Sequence, residues 1–251
     1  MLKILQSFRP RARYPALMAI ALLFSSPIPA SPDFTEYESV DKRKKAFFSF
    51  FLPLVRERNS EILAIRDKLS QWRDHPETVD GWSSTDVQAV AADYGMEGFD
   101  PDSPDDWEHL MRRVDVIPPS LALAQAAKES AWGTSGFARE GNNFFGQWCF
   151  EKGCGLVPED RSSGSVHEVA VFPSAEVSVD AYMRNLNRHR AYAPLRRIRE
   201  DLRRKDEPVT GKALAQGLEG YSEQGEEYVS QVQALIHSND LTRHDRDDFA
   251  P

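Results

Sequence analysis

Residues 118–133 read PPSLALAQAAKESAWG, and this stretch decides the fold. It has proline at its start and glycine at its end, which is the usual asymmetry of a single α-helix. Its residues are small or apolar on nearly every side, a pattern typical of a helix in the core rather than on the surface. The stretch therefore predicts a helix in the interior of the protein.

One residue of this helix, Glu129, is charged where burial is expected. Loss of hydration and the negative partial charge of a helix C-terminus both disfavour the ionised form of a carboxyl group in the last turn. A carboxyl group that keeps its proton is what general acid catalysis near neutral pH needs. The alternative is a structural glutamate paired with an arginine or with Lys128, and burial and spacing alone do not separate the two.

The segment upstream of this helix predicts a helical extension. Residues 41–75 are rich in helix formers, with Pro53 as the position of a kink or break. Four apolar residues share one helical face: Ile62, Ile65, Leu69 and Trp72. An aromatic cluster precedes them: Phe47, Phe48, Phe50 and Phe51. The cluster either packs on the main domain or binds lipid, and packing is the favoured alternative.

Downstream of Glu129 the pattern changes twice. Short aromatic and β-branched runs at 144–150 and 166–172, separated by Gly, Ser, Pro and charged residues, predict a small β-lobe or hairpin. Helical patterns return at 174–190 and 211–239. The arginine-rich segment between them is either a positive surface or a helix face paired with neighbouring acidic residues.

Two shorter helices are expected at 85–94 and 104–114, each with a serine or threonine available as its N-cap. We therefore predict a mainly α fold of the α+β class. Its expected divisions are a signal segment at 1–30, a helical extension at 31–113, a helical domain with a small β-lobe at 114–240 and a polar tail at 241–251.

The first thirty residues predict a secretory signal peptide. Lys3 and three arginines precede the apolar run 14–24, and small residues follow it up to Ala30. The run is shorter than the roughly 20 residues that span a bilayer, which argues against an uncleaved anchor. Cleavage near Ala30 removes four positive charges and no negative ones, so the formal net charge goes from −8 to about −12. A protein this acidic is a poor nucleic-acid binder.

Cys149 and Cys154 are the only cysteines in the sequence. In an oxidising compartment, two cysteines this close favour a disulfide over free thiols. A metal site is the weaker alternative, because His167 is the only nearby histidine and the set stays short of the four ligands of a structural zinc site. We therefore expect a disulfide and no bound metal.

Two stretches around Glu129 resemble a known family: 126–138, AAKESAWGTSGFA, and 141–146, GNNFFG. They resemble the signature of the glucosaminidase family of peptidoglycan hydrolases, which have a lysozyme-like fold. Three further stretches look like the exported, Bax-like branch of that family: 114–120, 146–155 and 182–187. The resemblance extends over roughly residues 47–240.

The resemblance implies roles for particular residues. Glu129 is then the general acid of glycan cleavage. Three residues are implied to line the glycan cleft: Asn143, Phe145 and Gly146. Trp132 and Trp148 offer aromatic faces for sugar rings, although a single aromatic residue is more often part of a core. No metal and no organic cofactor is implied.

A second carboxylate is harder to assign from the sequence. Glycosidases commonly use a pair, and the family places its second acidic residue in the β-lobe. Glu168 is the first candidate because it lies in a strand-like run beside His167. Glu159 better matches the first strand of the lobe and is expected at the substrate, and Asp160 is a third candidate. None of the three lies in a sharp motif.

The segment 220–228, GYSEQGEEY, corresponds to a family position with a tyrosine at the catalytic cleft. The family pattern has Ala-Thr-Asp after that tyrosine, so the Ser-Glu-Gln in this sequence departs from it. A phenol there can bind the N-acetyl group or position water, or it can be a core residue. We expect a functional Tyr221 and a structural Tyr228.

Together these features predict an exported enzyme that cleaves the β-1,4 bond after N-acetylglucosamine in peptidoglycan glycan strands. Two other activities remain open: a lytic transglycosylase or muramidase on the same fold, and a catalytically silent protein that binds the cell wall. We expect a monomer of the periplasm or cell envelope that needs no cofactor and binds no nucleic acid.

Overall fold

The structure is a computed structural model that describes residues 31–78, 81–158 and 167–245. Over these residues the chain forms nine α-helices and three short strands. The helices are α1 (Val40–Asp74), α2 (Ser84–Asp93), α3 (Pro104–Arg113), α4 (Pro119–Glu129), α5 (Gly136–Gly141), α6 (Ala175–Arg188), α7 (Ala193–Arg204), α8 (Gly211–Leu214) and α9 (Glu226–Ser238). The strands are β1 (Trp148–Cys149), β2 (Gly155–Leu156) and β3 (Glu168–Ala170).

The predicted mainly α, α+β class is confirmed by this order of elements. The signal segment 1–30 and Glu159 lie outside the described residues. Within the described ranges, no helix is both long enough and apolar enough to cross a membrane.

Helix α1 is one continuous helix of 35 residues, with Pro53 inside it. Of the two expectations at Pro53, a kink or a break, the break is therefore wrong. Pro53 is exposed, and the helix has a buried apolar face on both sides of it, so tertiary packing maintains the helix across the missing hydrogen bond. That buried apolar face consists of Phe47, Phe51, Val55, Ile62 and Leu69.

The aromatic cluster of α1 packs on the rest of the protein, as the favoured alternative predicted. Phe51 contacts Phe144 edge-on at 4.7 Å between ring centroids. Asn59 lies on the same side of α1 and exchanges two hydrogen bonds with the backbone of Ile117, at 2.8 and 3.0 Å. One hydrophobic cluster joins α1 to the helices around α4, so the extension and the predicted domain share a core.

Helix α4 occupies the interior, as predicted, and every residue from Pro119 to Ala127 is buried. Helices α1, α8 and α9 pack against it. Near residue 245 the chain also packs against the N-terminal end of α4. Asp245 accepts hydrogen bonds from the backbone NH and the hydroxyl of Ser120, at 2.9 and 2.6 Å. The polar tail predicted from 241 is therefore wrong for 241–245, where Leu241 is fully buried.

The arginine-rich segment contributes to an internal network around Asp115. Arg203 donates two hydrogen bonds to this carboxylate at 2.7 and 2.6 Å, and Arg199 Nε lies 3.6 Å from it. Burial by itself raises the pKa of Asp115, but the guanidinium groups of Arg199, Arg203 and Arg66 outweigh burial and hold that pKa below its ordinary value. Arg199 and Arg203 are therefore paired with a buried carboxylate, while Arg203 stays partly exposed.

A three-stranded antiparallel sheet, in the order β1-β3-β2, forms the predicted β-lobe. Trp148 pairs with Val169 and Leu156 pairs with the same residue from the other side. The turn that joins β1 to β2 is closed by a disulfide between Cys149 and Cys154. The lobe therefore consists of a short sheet with a covalently closed turn at its edge.

Candidate active site

Glu129 is the last residue of α4 and marks the point where this buried helix reaches the surface. The nine helix residues from Pro119 to Ala127 are buried, whereas Lys128 and Glu129 are half-buried. Lys128 is directed to the side chain of Gln231 and to the ring of Tyr228. The Glu129 carboxylate thus has rigid support on its helix side and remains accessible to a ligand.

A chain of buried side-chain hydrogen bonds ends on Glu129. The Tyr182 hydroxyl donates to Gln125 Oε1 at 2.6 Å, and Gln125 Nε2 donates to the Tyr228 hydroxyl at 2.9 Å. The Tyr228 hydroxyl in turn donates to Glu129 Oε1 at 2.8 Å. Gln125 and Glu129 are four residues apart and share one face of α4. Three helices, α4, α6 and α9, therefore position this carboxylate.

The two tyrosines of this chain are neutral donors at neutral pH. Burial and the nearby charge of Glu129 raise the pKa of Tyr228 well above its ordinary value. Burial also raises the pKa of Tyr182, and neighbouring Tyr192 and Glu129 add to the effect. All three hydrogen bonds point along the chain toward Glu129, so each donor strengthens the next.

Tyr221 occupies a different position from the one predicted. Its hydroxyl is buried and donates to the carbonyl oxygen of Phe145 at 2.8 Å, and its ring stacks on Tyr228 at 5.3 Å. Tyr228, for which the sequence predicts a structural role, donates a hydrogen bond to Glu129. Tyr221 therefore supports the site from behind Tyr228.

The residues expected to line the cleft are mostly internal. Asn143 is 1% exposed, and its amide nitrogen donates to the backbone oxygens of Gln147 and Ala170 at 2.8 Å each. Phe145 is fully buried and stacks on Tyr182 at 4.0 Å. A cleft role for these two side chains is not supported, because their surfaces are already covered by protein. Gly146 has a φ of +61°, which glycine adopts at little cost.

The aromatic residues expected at the substrate have two different environments. Trp132 is half-buried and packs edge-on against Phe47 and Phe48 of α1. Trp148 stacks on His167 at 3.9 Å with 13° between the ring planes, and both rings are partly exposed. The stacked pair on the β-lobe is therefore partly open to solvent, while Trp132 is engaged by the extension.

Glu168, the first candidate for a second carboxylate, is 5% exposed. Its two oxygens accept hydrogen bonds from the backbone NH groups of Gly153 and Gly155, at 3.0 and 2.9 Å. Both donors belong to the disulfide-closed turn. The Glu168 carboxylate therefore holds the turn, and its predicted catalytic role stays a prediction.

Possible metal and ligand sites elsewhere are few in the ranges described. The ligand atoms of Cys149, Cys154 and Glu168 lie within 4.8 Å of one another, but the two sulfurs are bonded to each other and are not thiolate ligands. A cavity of about 650 Å³ opens between α1, α3 and α7 at Asp115. Glu129 does not line it, so this cavity and the candidate acid are separate features.

Comparisons with known proteins agree with these observations. The glucosaminidase family model, described as mannosyl-glycoprotein endo-beta-N-acetylglucosaminidase, matches residues 105–241. Protein bax of Escherichia coli (strain K12) is 35% identical over 211 residues, which cover 83% of this chain and 74% of that protein. No solved structure matches the chain significantly. The family match contains Glu129 and the other members of its hydrogen-bond chain, whereas α1 lies outside it.

Proposed function

The chain belongs to the glucosaminidase family, and from this premise we propose that it hydrolyses the β-1,4 bond after N-acetylglucosamine in peptidoglycan, with Glu129 as general acid. The observation that carries the assignment of Glu129 is its position, half-buried at the open end of a buried helix and hydrogen-bonded by Tyr228. A general acid must be held rigidly and must still reach the leaving oxygen. Glu129 satisfies both requirements.

In the proposed reaction Glu129 donates its proton to the glycosidic oxygen as the bond to the anomeric carbon breaks. The sugar develops oxocarbenium character, and water then completes the hydrolysis. The hydroxyl of Tyr228 fixes Oε1 of Glu129 and so selects the orientation of the carboxyl group. Tyr228 is a positioning residue in this scheme, and Gln125 and Tyr182 fix Tyr228 in turn.

The partner of the general acid is a separate part of the proposal. Glu168 is engaged by two backbone NH groups, so we assign it no catalytic role. The developing positive charge is then stabilised by Glu159 or by the acetamido group of the substrate itself, which some glycosidases use in place of a second carboxylate. The stacked rings of Trp148 and His167 provide a platform for a sugar ring on the β-lobe.

Digestion of purified peptidoglycan followed by mass spectrometry of the soluble products tests the proposal. We expect new reducing ends at N-acetylglucosamine. A lytic transglycosylase is the second candidate, because it requires only one acidic residue and Glu168 is engaged elsewhere. Anhydro ends on the products would select that activity. Binding to sacculi without release of soluble sugars would instead identify a cell-wall-binding protein without activity.

We also propose that the protein is exported, since residues 3–30 have the charge and apolar pattern of a signal peptide. Intact-mass measurement of the protein from the periplasm or the medium should show the loss of about 30 residues. Recovery of the full-length chain from the cytosol would contradict export.

A further inference from the structure

The three residues that follow Ser130 adopt a left-handed turn directly after Glu129. Ala131, Trp132 and Gly133 have φ values of +50°, +61° and +78°. Residues with a Cβ atom rarely adopt this conformation, and two of them in succession, Ala131 and Trp132, are rarer still. Such a turn persists only where the surrounding structure enforces it. The contacts that enforce this turn therefore matter for the carboxylate beside it.

Part of the enforcement comes from α4 itself. The hydroxyl of Ser130 donates to the carbonyl of Ala126 at 2.7 Å and accepts from the NH of Gly133 at 2.8 Å. The NH of Trp132 donates to the carbonyl of Ala127 at 2.9 Å. The left-handed turn is therefore hydrogen-bonded to the last turn of α4, from which Glu129 projects. Any displacement of Trp132 is transmitted to that helix end.

The other part comes from the extension. Phe47 and Phe48 contact the Trp132 ring edge-on at 5.9 and 5.3 Å between centroids, and Lys44 Nζ lies 5.0 Å from the centre of the same ring. Phe34 lies so close to Gly133 that a Cβ atom there would be 2.2 Å from its ring. We call the three side chains on Trp132, those of Lys44, Phe47 and Phe48, the α1 clamp.

We propose that the α1 clamp is part of the active site: it holds Trp132, and through Trp132 the left-handed turn, so that Glu129 is kept in its productive orientation. The clamp belongs to α1, which lies outside the family match at residues 105–241. The extension therefore supplies contacts on Trp132 that come from outside the matched region. Phe48 and Trp132 are positioning residues in this proposal, which rests on Glu129 being the general acid. A small misplacement of a catalytic group can reduce turnover by two orders of magnitude.

The chain offers a matched pair of substitutions as the test. Phe48 contacts Trp132 edge-on at 5.3 Å, and Phe99 contacts Trp107 edge-on at 5.1 Å elsewhere in the extension. Phe48→Ala and Phe99→Ala each remove one phenylalanine from one tryptophan. Phe48→Leu keeps most of the apolar volume and provides a milder form of the first change. All variants are made in the full chain.

Two measurements are made on each variant, hydrogen–deuterium exchange and kinetics on purified peptidoglycan. In Phe48→Ala we expect faster exchange in residues 130–135 and a kcat at least about tenfold lower, with KM changed less than about twofold. In Phe99→Ala we expect exchange in 130–135 and kcat per folded molecule to stay as in the unsubstituted protein. Phe48→Leu should lie between these two results.

Several results would overturn the proposal. Unchanged exchange in residues 130–135 of Phe48→Ala would show that the clamp does not hold the turn. Faster exchange with unchanged kcat would show that the turn does not position Glu129, and a rise in KM alone would make Phe48 a substrate contact. If the unsubstituted protein releases no sugar, the proposed function fails together with the catalytic role of the clamp, while exchange still reports on the turn.

Discussion

Glu129 and Glu168 are two glutamates in the matched region with opposite surroundings. Glu129 is half-buried at a helix end, and a side-chain hydroxyl donates to it. Glu168 is buried in a strand, and two backbone NH groups of a disulfide-closed turn donate to it. A carboxylate bound by backbone of its own lobe stabilises that lobe, whereas a half-buried carboxylate at a helix end remains within reach of a ligand. The same residue type therefore has a structural role in one place and a proposed catalytic role in the other.

The largest expected effect is that of Glu129→Gln. The amide keeps the shape of the side chain and can accept the hydrogen bond from Tyr228, but it cannot deliver a proton to the leaving oxygen. Glycan cleavage should fall by at least about 100-fold. The free energy of unfolding should change by less than about 1 kcal/mol, because the amide oxygen still accepts the hydrogen bond from the buried Tyr228 hydroxyl.

Sugar release and denaturant unfolding on the same protein check this prediction. A Glu129→Gln protein that unfolds more easily yet cleaves normally per folded molecule would contradict the catalytic role proposed for Glu129. It would identify Glu129 as a structural residue, which is the alternative that its sequence leaves open.

The same substitution at Glu168 should have the opposite result. Glu168→Gln removes the charge and presents an amide NH₂ to one of the two backbone donors. Hydrogen bonds to a charged group are worth about 1.5 to 3 kcal/mol, so the free energy of unfolding should fall by about 2 kcal/mol. Cleavage per folded molecule should stay within about threefold of normal, which is small against the effect of a lost catalytic group.

Urea unfolding and peptidoglycan digestion measure the two quantities separately. A 100-fold loss of cleavage in a stably folded Glu168→Gln protein would restore this residue as the second catalytic carboxylate.

Reduction of the disulfide tests the structural role of Glu168, because the disulfide closes the turn that this residue binds. The bond joins residues only five positions apart, so in the chain-entropy account it stabilises the fold by about 2 kcal/mol. The dithiothreitol-reduced protein should have a lower free energy of unfolding than the oxidised protein by this amount. It should also show faster amide exchange at Gly153 and Gly155. Cleavage should persist, because the turn is bonded to Glu168, whereas the chain on Glu129 is built from residues of α4, α6 and α9. Reduced protein that remains equally stable but cannot cleave would connect the lobe turn to catalysis.

The parts of the fold that follow from local pattern were predictable from sequence. Proline and glycine delimited the central helix, the apolar spacing of α1 defined its buried face, and the close cysteines indicated the disulfide. Contacts between residues distant in sequence were not. The hydrogen bond from Tyr228 to Glu129 spans 99 residues, and local pattern does not distinguish this tyrosine from Tyr221.

The residues predicted to line the cleft illustrate a related difficulty. A family motif marks positions that matter, and it does not separate side chains that touch substrate from those that shape the backbone beneath it. Asn143 satisfies two carbonyl groups of the β-lobe, and Phe145 supports Tyr182. Gly133 indicates an unusual backbone, but the left-handed conformations of Ala131 and Trp132 do not follow from their residue types. The contact of Trp132 with Phe48 of α1 joins residues distant in sequence, and local pattern does not reveal such contacts.

The smallest expected effect separates the two stacked tyrosines near Glu129. Tyr228→Phe removes the hydroxyl that donates to Glu129 Oε1 and accepts from Gln125 Nε2, so the carboxyl group loses its fixed orientation. One such hydrogen bond is worth about 1.4 kcal/mol, and cleavage should fall about tenfold. Tyr221→Phe is the matched control, because it loses a hydrogen bond to the Phe145 carbonyl and none to Glu129. Its cleavage per folded molecule should fall less than about threefold, while its free energy of unfolding decreases by about 1 kcal/mol.

The difference in cleavage between the Tyr228→Phe variant and the unsubstituted protein should not depend on pH near neutrality. Because burial and the charge of Glu129 raise the pKa of Tyr228, its phenol stays protonated at neutral pH, and the tenfold difference should not vary between about pH 6 and 8. Initial rates of sugar release at three pH values measure this difference in cleavage. An equal loss of cleavage in both variants would mean that the stacked pair supports Glu129 only by packing, and a larger loss in Tyr221→Phe would return Tyr221 to the catalytic role that the sequence predicted.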